Sequence, residues 1–291
     1  MKHLITGLLA ATVLASGVAQ ADITVGGKNF TEQQILASMT DQYLQAHGYD
    51  VDKRAGMGSA VLRRAQENGQ IDLYWEYTGT SLITYNGITE KLSPEETYQK
   101  VKSLDAEKGL VWLDPSDANN TYALTMRADD ASARGIESIS DLAKTINDGE
   151  ALTFASNAEF YAREDGLRPL QKAYGFEFGR PNIKRMDFGL TLPALRDEQV
   201  DVSIAYSTDG RIPAYGLVTL DDDKNFFPAY ALTPVVRQET LEANPELAAQ
   251  MNKLSALLND DTMASLNASV DVDRQNIEDV AKDFLDQHDL L

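Results

Sequence analysis

Apolar and polar positions alternate in a way that reads as strands separated by helices. Residues 23–25 form a short apolar run closed by Gly26-Gly27. Phe30, Ile35, Leu36, Met39 and Tyr43 then fall at helical spacing, ending near His47-Gly48. Residues 49–53 read as a second strand, 59–68 as a helix stopped by Gly69, and 71–75 as a third strand. Strand, helix, strand, helix, strand implies a parallel sheet with helices on its faces. Ligands of such sheets bind beyond the carboxyl ends of the strands, which singles out the loops 26–31, 56–59 and 76–80. The same grammar returns with a strand at 152–155, helices at 167–174 and 190–197, and a strand at 200–205. From residue 240 the pattern is helical to the end.

Two internal echoes organise these elements. Ala65, Gln70, Ile71, Asp72, Tyr77 and Thr78 match Ala194, Gln199, Val200, Asp201, Tyr206 and Ser207 at a constant offset of 129. Thr121-Tyr122-Ala123-Leu124-Thr125 matches Ala229-Tyr230-Ala231-Leu232-Thr233 at an offset of 108. Unequal offsets exclude a tandem repeat and suggest two similar lobes joined by two crossing strands. The expected fold is α/β, with parallel-rich sheets flanked by helices. The first lobe comprises 22–124 and 231–291, and the second 125–230.

The first 21 residues read as an address. Met1-Lys2-His3 is a short basic start, 4–19 is apolar or small, and Ala19-Gln20-Ala21 is a small-x-small cleavage site before Asp22. The expectation is a signal peptide and a free mature protein in the periplasm, since no cysteine follows the cleavage point to carry a lipid. Lys and Arg number 26 against 45 Asp and Glu, a formal net charge of −19, which argues against a nucleic-acid partner. The absence of cysteine excludes disulfides, thiolate catalysis and iron–sulfur clusters. A monomer without cofactor or metal is expected.

Enzyme chemistry finds little purchase. After the leader only His47 and His288 remain, without partner motifs, and no nucleophile elbow, phosphate loop or zinc helix is present. Asp221-Asp222-Asp223 reads as a solvated turn. Asp72, Glu76 and Glu159 are the carboxylates an enzyme on this frame would use. The tyrosines are more informative. Tyr77 and Tyr206 stand at equivalent strand exits, and Tyr122 and Tyr230 at the two crossings, so all four should meet in one cleft between the lobes. Aromatic faces hold a quaternary ammonium, which donates no hydrogen bond, at about 0.5–2 kcal/mol per contact.

Several segments carry a family likeness in fixed order: Gly26-Gly27-Lys28-Asn29-Phe30-Thr31-Glu32-Gln33, then 72–80 (DLYWEYTGT), Asn119-Asn120-Thr121-Tyr122-Ala123, 205–212 (AYSTDGRI) and 222–230 (DDKNFFPAY). Together they resemble the substrate-binding proteins of ABC importers for osmoprotectants such as glycine betaine, choline and carnitine. The resemblance implies a two-lobed periplasmic-binding-protein fold of type II, with two crossover strands. It implies a trimethylammonium cage of Tyr77, Tyr122, Tyr206 and Tyr230, and an ABC permease in the inner membrane as partner. Lys28 stands where some relatives contact the polar tail of the ligand with Gln. A lysine there favours a ligand with a carboxylate, or is held in an ion pair by Glu32. Thr80 lies at a position that tunes ligand choice. Arg163, in the variable segment 159–163, either reaches a carboxylate tail or pairs with Glu159 or Asp165. Acidic residues on the lobe tips are expected to face basic residues of the permease.

Overall fold

The computed structural model describes residues 23–291, and its ten strands divide between two sheets. The first sheet holds β1 (Ile23–Lys28), β2 (Val51–Met57), β3 (Leu73–Tyr77), β4 (Leu110–Trp112) and β10 (Leu232–Arg237), in the order β2-β1-β3-β10-β4. The second holds β5 (Tyr122–Arg127), β6 (Phe154–Ser156), β7 (Ile183–Arg185), β8 (Val202–Tyr206) and β9 (Leu217–Thr219), in the order β7-β6-β8-β5-β9. In each sheet the first three strands of the order run parallel and the strand arriving from the other lobe is antiparallel. This is the α/β two-lobed architecture. The expected leader, 1–21, lies outside the described residues, and no helix among those described is long and apolar enough to cross a membrane.

The offset of 129 holds in three dimensions. Helix Ser59–Glu67 corresponds to helix Phe188–Arg196, and β3 to β8, residue for residue. The reason lies in the turn between them. Asp72 accepts the Thr24 backbone N–H at 2.8 Å, and Asp201 accepts that of Thr153 at 2.7 Å. Each aspartate ties the start of one central strand to its parallel neighbour, so the strands begin at Leu73 and Val202, two residues later than apolar patterning alone suggests. The turn needs a left-handed residue before it. Gly69 meets this at φ 73°, whereas Glu198 adopts φ 59° at the matching position and bears the steric cost of its Cβ.

The second echo is out of register. Tyr122 lies opposite Tyr206 in the β5–β8 ladder, but Leu232 lies opposite Tyr77 in the β10–β3 ladder. Arg127 and Arg237 then occupy equivalent places, each N-capping the following helix and facing Asp201 and Asp72 at 3.9 and 3.3 Å. Leu232 is therefore the counterpart of Tyr122, and Tyr230 lies two residues ahead of its strand. Local likeness of side chains had outweighed ladder register. Pairing of Tyr122–Thr125 with β8 also moves the change of sheet to before Tyr122, ahead of the expected boundary at 124/125. The two crossings run side by side, with Asn119 bridged to Ala231 and the Asn120 N–H donating to the Tyr230 carbonyl at 3.2 Å.

Helix Thr31–Ala46 buries Ile35, Leu36, Met39 and Tyr43 against the first sheet and Trp75. The C-terminal helices Asp260–Asp271 and Ile277–Gln287 close over the same helix. They complete the first lobe after the chain has returned.

Candidate functional site

The carboxyl ends of the central strands of the two lobes face each other across a narrow, tightly packed cavity. Lys28, Phe30, Ser59, Tyr77, Thr80, Asn120, Tyr122, Glu159, Tyr206 and Tyr230 line it. The four expected tyrosines are thus brought together. Tyr122 lies 5.2 Å from Tyr206 and 5.6 Å from Tyr230, centroid to centroid, the second pair at 89°. Phe30 joins them, 5.1 Å from Tyr206 and 6.3 Å from Tyr77. Its spacing read as the first core position of a helix, but it is the N-cap residue, extended at the end of β1. The signal that could have found it was its place in the strand-exit loop 26–31.

Backbone and hydroxyl contacts hold the rings. A Cβ on Gly79 would come within 2.8 Å of the Tyr230 ring, so only glycine lets that ring lie against the chain after β3. The Tyr77 hydroxyl donates to Glu32 at 2.7 Å, and that of Tyr230 donates to Asp165. Burial pushes all four phenols above their usual range, so the rings stay neutral. Anchored hydroxyls leave faces, rather than polar edges, to meet a guest.

Lys28, Glu159 and Arg163, at and around the cavity, are held in ion pairs. Lys28, 2% exposed, pairs with Glu76 at 2.5 Å and not with Glu32. Glu76 also accepts from the Tyr74 hydroxyl at 2.8 Å and the Tyr77 N–H at 2.7 Å. The Lys28 ammonium stands 4.8 Å from the Tyr77 ring centroid. Among the described residues Glu32 has no cationic partner. It accepts from Tyr77 and Asn120 at 2.7 Å each, from Thr208 at 2.6 Å and from Asn267 at 3.1 Å, gathering both lobes and a C-terminal helix on one carboxylate. Its burial raises its pKa against the pull of those donors. Sequence reasoning gave it no such role.

Arg163 does not line the cavity. Its Nε and Nη2 donate to Asp165 at 2.6 Å each, and Nη1 reaches Glu159 at 3.3 Å. It also packs over Tyr122 and Tyr230 at 5.4 and 6.0 Å and braces them. Of the two expectations for Arg163, the ion pair with Asp165 and Glu159 is the one this arrangement holds. Glu159 instead accepts from the Ser59 hydroxyl across the cleft at 3.0 Å. Thr80 lines the cavity from the turn Thr78–Thr80.

The other chemical candidates are structural. His47 packs on Tyr43 and His288 on Phe284, neither of them on the cavity lining. Asp222 takes the N–H groups of Phe226 and Phe227 at 2.8 Å, bracing the return crossing. Among the described residues no cluster of His, Asp and Glu could hold a metal ion. What the cavity offers is an enclosed ring of neutral aromatic faces with a few polar groups at one side.

Known proteins resemble this chain in sequence and in fold. Residues 21–287 match the family described as the substrate binding domain of ABC-type glycine betaine transport systems. A glycine-betaine-binding protein of Pseudomonas aeruginosa is 47% identical, over 98% of this chain and 94% of its own. The glycine betaine-binding protein YehZ of Escherichia coli is 34% identical, over 96% of this chain and 94% of its own. A crystal structure described as a glycine betaine/carnitine/choline ABC transporter superposes with a TM-score of 0.76 at 30% identity, covering 92% of this chain and 99% of that one. The chain therefore belongs to the substrate-binding proteins of ABC-type glycine betaine transport systems, whose members are named as binding components and not as enzymes.

Proposed function

We propose that the protein captures a quaternary-ammonium osmolyte of the glycine betaine class between its lobes, in the periplasm and as a monomer, and delivers it to the inner-membrane permease. The observation that carries this reading is the convergence of Tyr77, Tyr122, Tyr206 and Tyr230 on one enclosed cavity. Four faces at about 0.5–2 kcal/mol each gross about 2–8 kcal/mol. A micromolar complex needs about −8 kcal/mol net, so the cage supplies a large share and burial of the methyl groups adds the rest.

Selectivity comes from the polar side of the cavity. Lys28 carries three N–H donors and Glu76 takes one of them at 2.5 Å. The remaining donors, with the hydroxyl of Thr80, suit a carboxylate tail. Choline offers those donors only a neutral hydroxyl oxygen, a weaker acceptor than a carboxylate. Both lobes contribute lining residues, so the ligand favours the closed arrangement and shifts the population toward it.

A bulkier betaine is the second reading, favoured by one observation. A neighbouring, roomier cavity of about 110 Å³ shares Phe30, Asn120 and Tyr206 with the cage. Movement of the Phe30–Tyr206 wall would join the two.

Titration calorimetry against glycine betaine, carnitine and choline tests the proposal. Glycine betaine and carnitine are expected to bind in the micromolar range or tighter, and choline at least tenfold more weakly. If none of the three releases or absorbs heat on binding, the proposal fails.

A further inference from the structure

Among the described residues, only four large apolar side chains are exposed: Val61 at 61%, Leu190 at 56%, Leu291 at 49% and Val218 at 37%. The first two are the most exposed, and they are the same position. The offset of 129 that superposes helix Ser59–Glu67 on helix Phe188–Arg196 carries Val61 onto Leu190. Each stands two residues into its helix, on the lip of its lobe. The first residues of the two helices show where that lip is. Ser59 donates across the cleft to Glu159, and the Phe188 ring lies 6.3 Å from Phe30 of the opposite lobe.

Exposing a Val or Leu on the first turn of an amphipathic helix costs solvation that a polar residue would avoid. Twice, at equivalent places, is a pattern. A protein that offers the same apolar knob from two pseudo-equivalent lobes fits a partner that offers the same socket twice, which is what two-fold related subunits do.

The charge beside the knobs says what rims the sockets. Arg64, three residues on from Val61 and so on the same helix face, is exposed and in no ion pair among the described residues. Arg185 lines the same mouth of the cleft as Leu190, is exposed, and likewise forms no ion pair among the described residues, resting on the Tyr161 ring at 5.2 Å. Unpaired arginines at both lips stand out on a chain of net charge −19. They call for carboxylates on the partner, the reverse of the sign expected from the overall charge.

We infer that Val61 and Leu190 are a pseudo-symmetric pair of docking knobs, flanked by Arg64 and Arg185, that seat on two apolar, acid-rimmed sockets of the paired transmembrane subunits of the permease. The inference rests on family membership and not on the identity of the ligand. The closing experiment measures docking of the full-length mature protein on its purified permease–ATPase complex in nanodiscs, by biolayer interferometry. The variants are Val61→Glu, Leu190→Glu, the double variant and Arg64→Glu. Thermal melting and glycine betaine calorimetry serve as controls for fold and cavity. Each knob variant is expected to dock about tenfold more weakly and the double variant about a hundredfold, with unchanged melting. Arg64→Glu is expected to dock severalfold more weakly, and rising salt to weaken the wild type. Docking of the double variant within twofold of wild type would overturn the inference. So would a loss carried entirely by one knob, or sedimentation showing a wild-type dimer that Val61→Glu splits, since the patch would then serve a second copy of the chain.

Discussion

Lys28 and Glu76, on neighbouring parallel strands, meet at 2.5 Å with their side chains 2% and 0% exposed, on the edge of a cavity otherwise lined largely by aromatic rings. The pair is neutral as a whole, so under the proposed function it would not repel a cationic ligand and would keep spare donors for its anionic tail.

Removing one partner leaves a buried charge alone, which costs about 3–5 kcal/mol. Lys28→Met should therefore lower the urea midpoint strongly, and Lys28→Met with Glu76→Gln should recover most of the loss. Lys28→Gln retains a donor for Glu76 and should lose less stability than Lys28→Met, but should reduce the preference for glycine betaine over choline by about fivefold or more. An unchanged preference in calorimetry would remove Lys28 from tail recognition.

The cage residues differ in what their hydroxyls do. Tyr206→Ala deletes a face and should weaken glycine betaine binding by about 1–2 kcal/mol, roughly tenfold, whereas Tyr206→Phe keeps the face and should stay within about threefold. Tyr77→Phe keeps its face but abandons the bonds to Glu32 and Gln33, at 2.7 and 3.1 Å. It should cost about 1–2 kcal/mol of stability with a smaller effect on affinity. Equal affinity losses for Tyr206→Ala and Tyr206→Phe would mean that the hydroxyl, not the ring, binds the ligand.

Glu32 makes stability depend on pH in the less common sense for a carboxylate. Burial holds its pKa above the ordinary 4.5 despite four donors. The native state then binds the proton more readily than the unfolded chain. Its stabilising contribution is whole below pH 4.5 and is lost as pH rises through the raised native value. Among the described residues the side-chain carbonyls of Asn120 and Asn267 have no hydrogen-bond partner, so a rotated amide can accept a hydrogen bond from the protonated carboxyl. Urea unfolding of wild type and Glu32→Gln from pH 4 to pH 8 should show the wild type losing ground relative to the variant as pH rises. A difference independent of pH contradicts this.

Asp105 acts in the opposite sense. Burial alone would raise its pKa, but the paired bonds from Arg63 at 2.8 and 2.6 Å, with Asn86 and Trp112, hold it at about 2. Its contribution, of about 2 kcal/mol, is present above pH 3.8 and is lost as pH falls through about 2. Asp105→Asn should be markedly less stable than wild type at neutral pH, with the gap narrowing in acid. A gap that widens below pH 4 would show that Arg63 does not control this carboxyl.

The sequence made the repeat legible where its cause is local. The turn that carries Asp72 and Asp201 forms from residues close in the chain, so Ala65…Tyr77 and Ala194…Tyr206 look alike and fold alike. The second echo misled because ladder register is set by a distant strand. Tyr122 and Tyr230 share neighbours in sequence, but only Tyr122 faces a tyrosine across a ladder. Phe30 was hidden for a related reason. Helical spacing cannot distinguish the first turn of a helix from the extended residue that caps it.

Side-chain periodicity and the chemistry of the strand exits thus determined, from the chain alone, an α/β frame in two lobes and four tyrosines at their junction. Tertiary structure alone decided which charges neutralise one another. Lys28 lies four residues from Glu32 but meets Glu76, because parallel β1 and β3 bring their carboxyl ends together while the chain turns away into a helix. Arg163 spends its donors on Asp165, and Glu32 is left to collect hydrogen bonds from both lobes. Ion pairing in a low-dielectric interior is settled by ångströms between distant segments, a quantity that spacing along the chain does not contain.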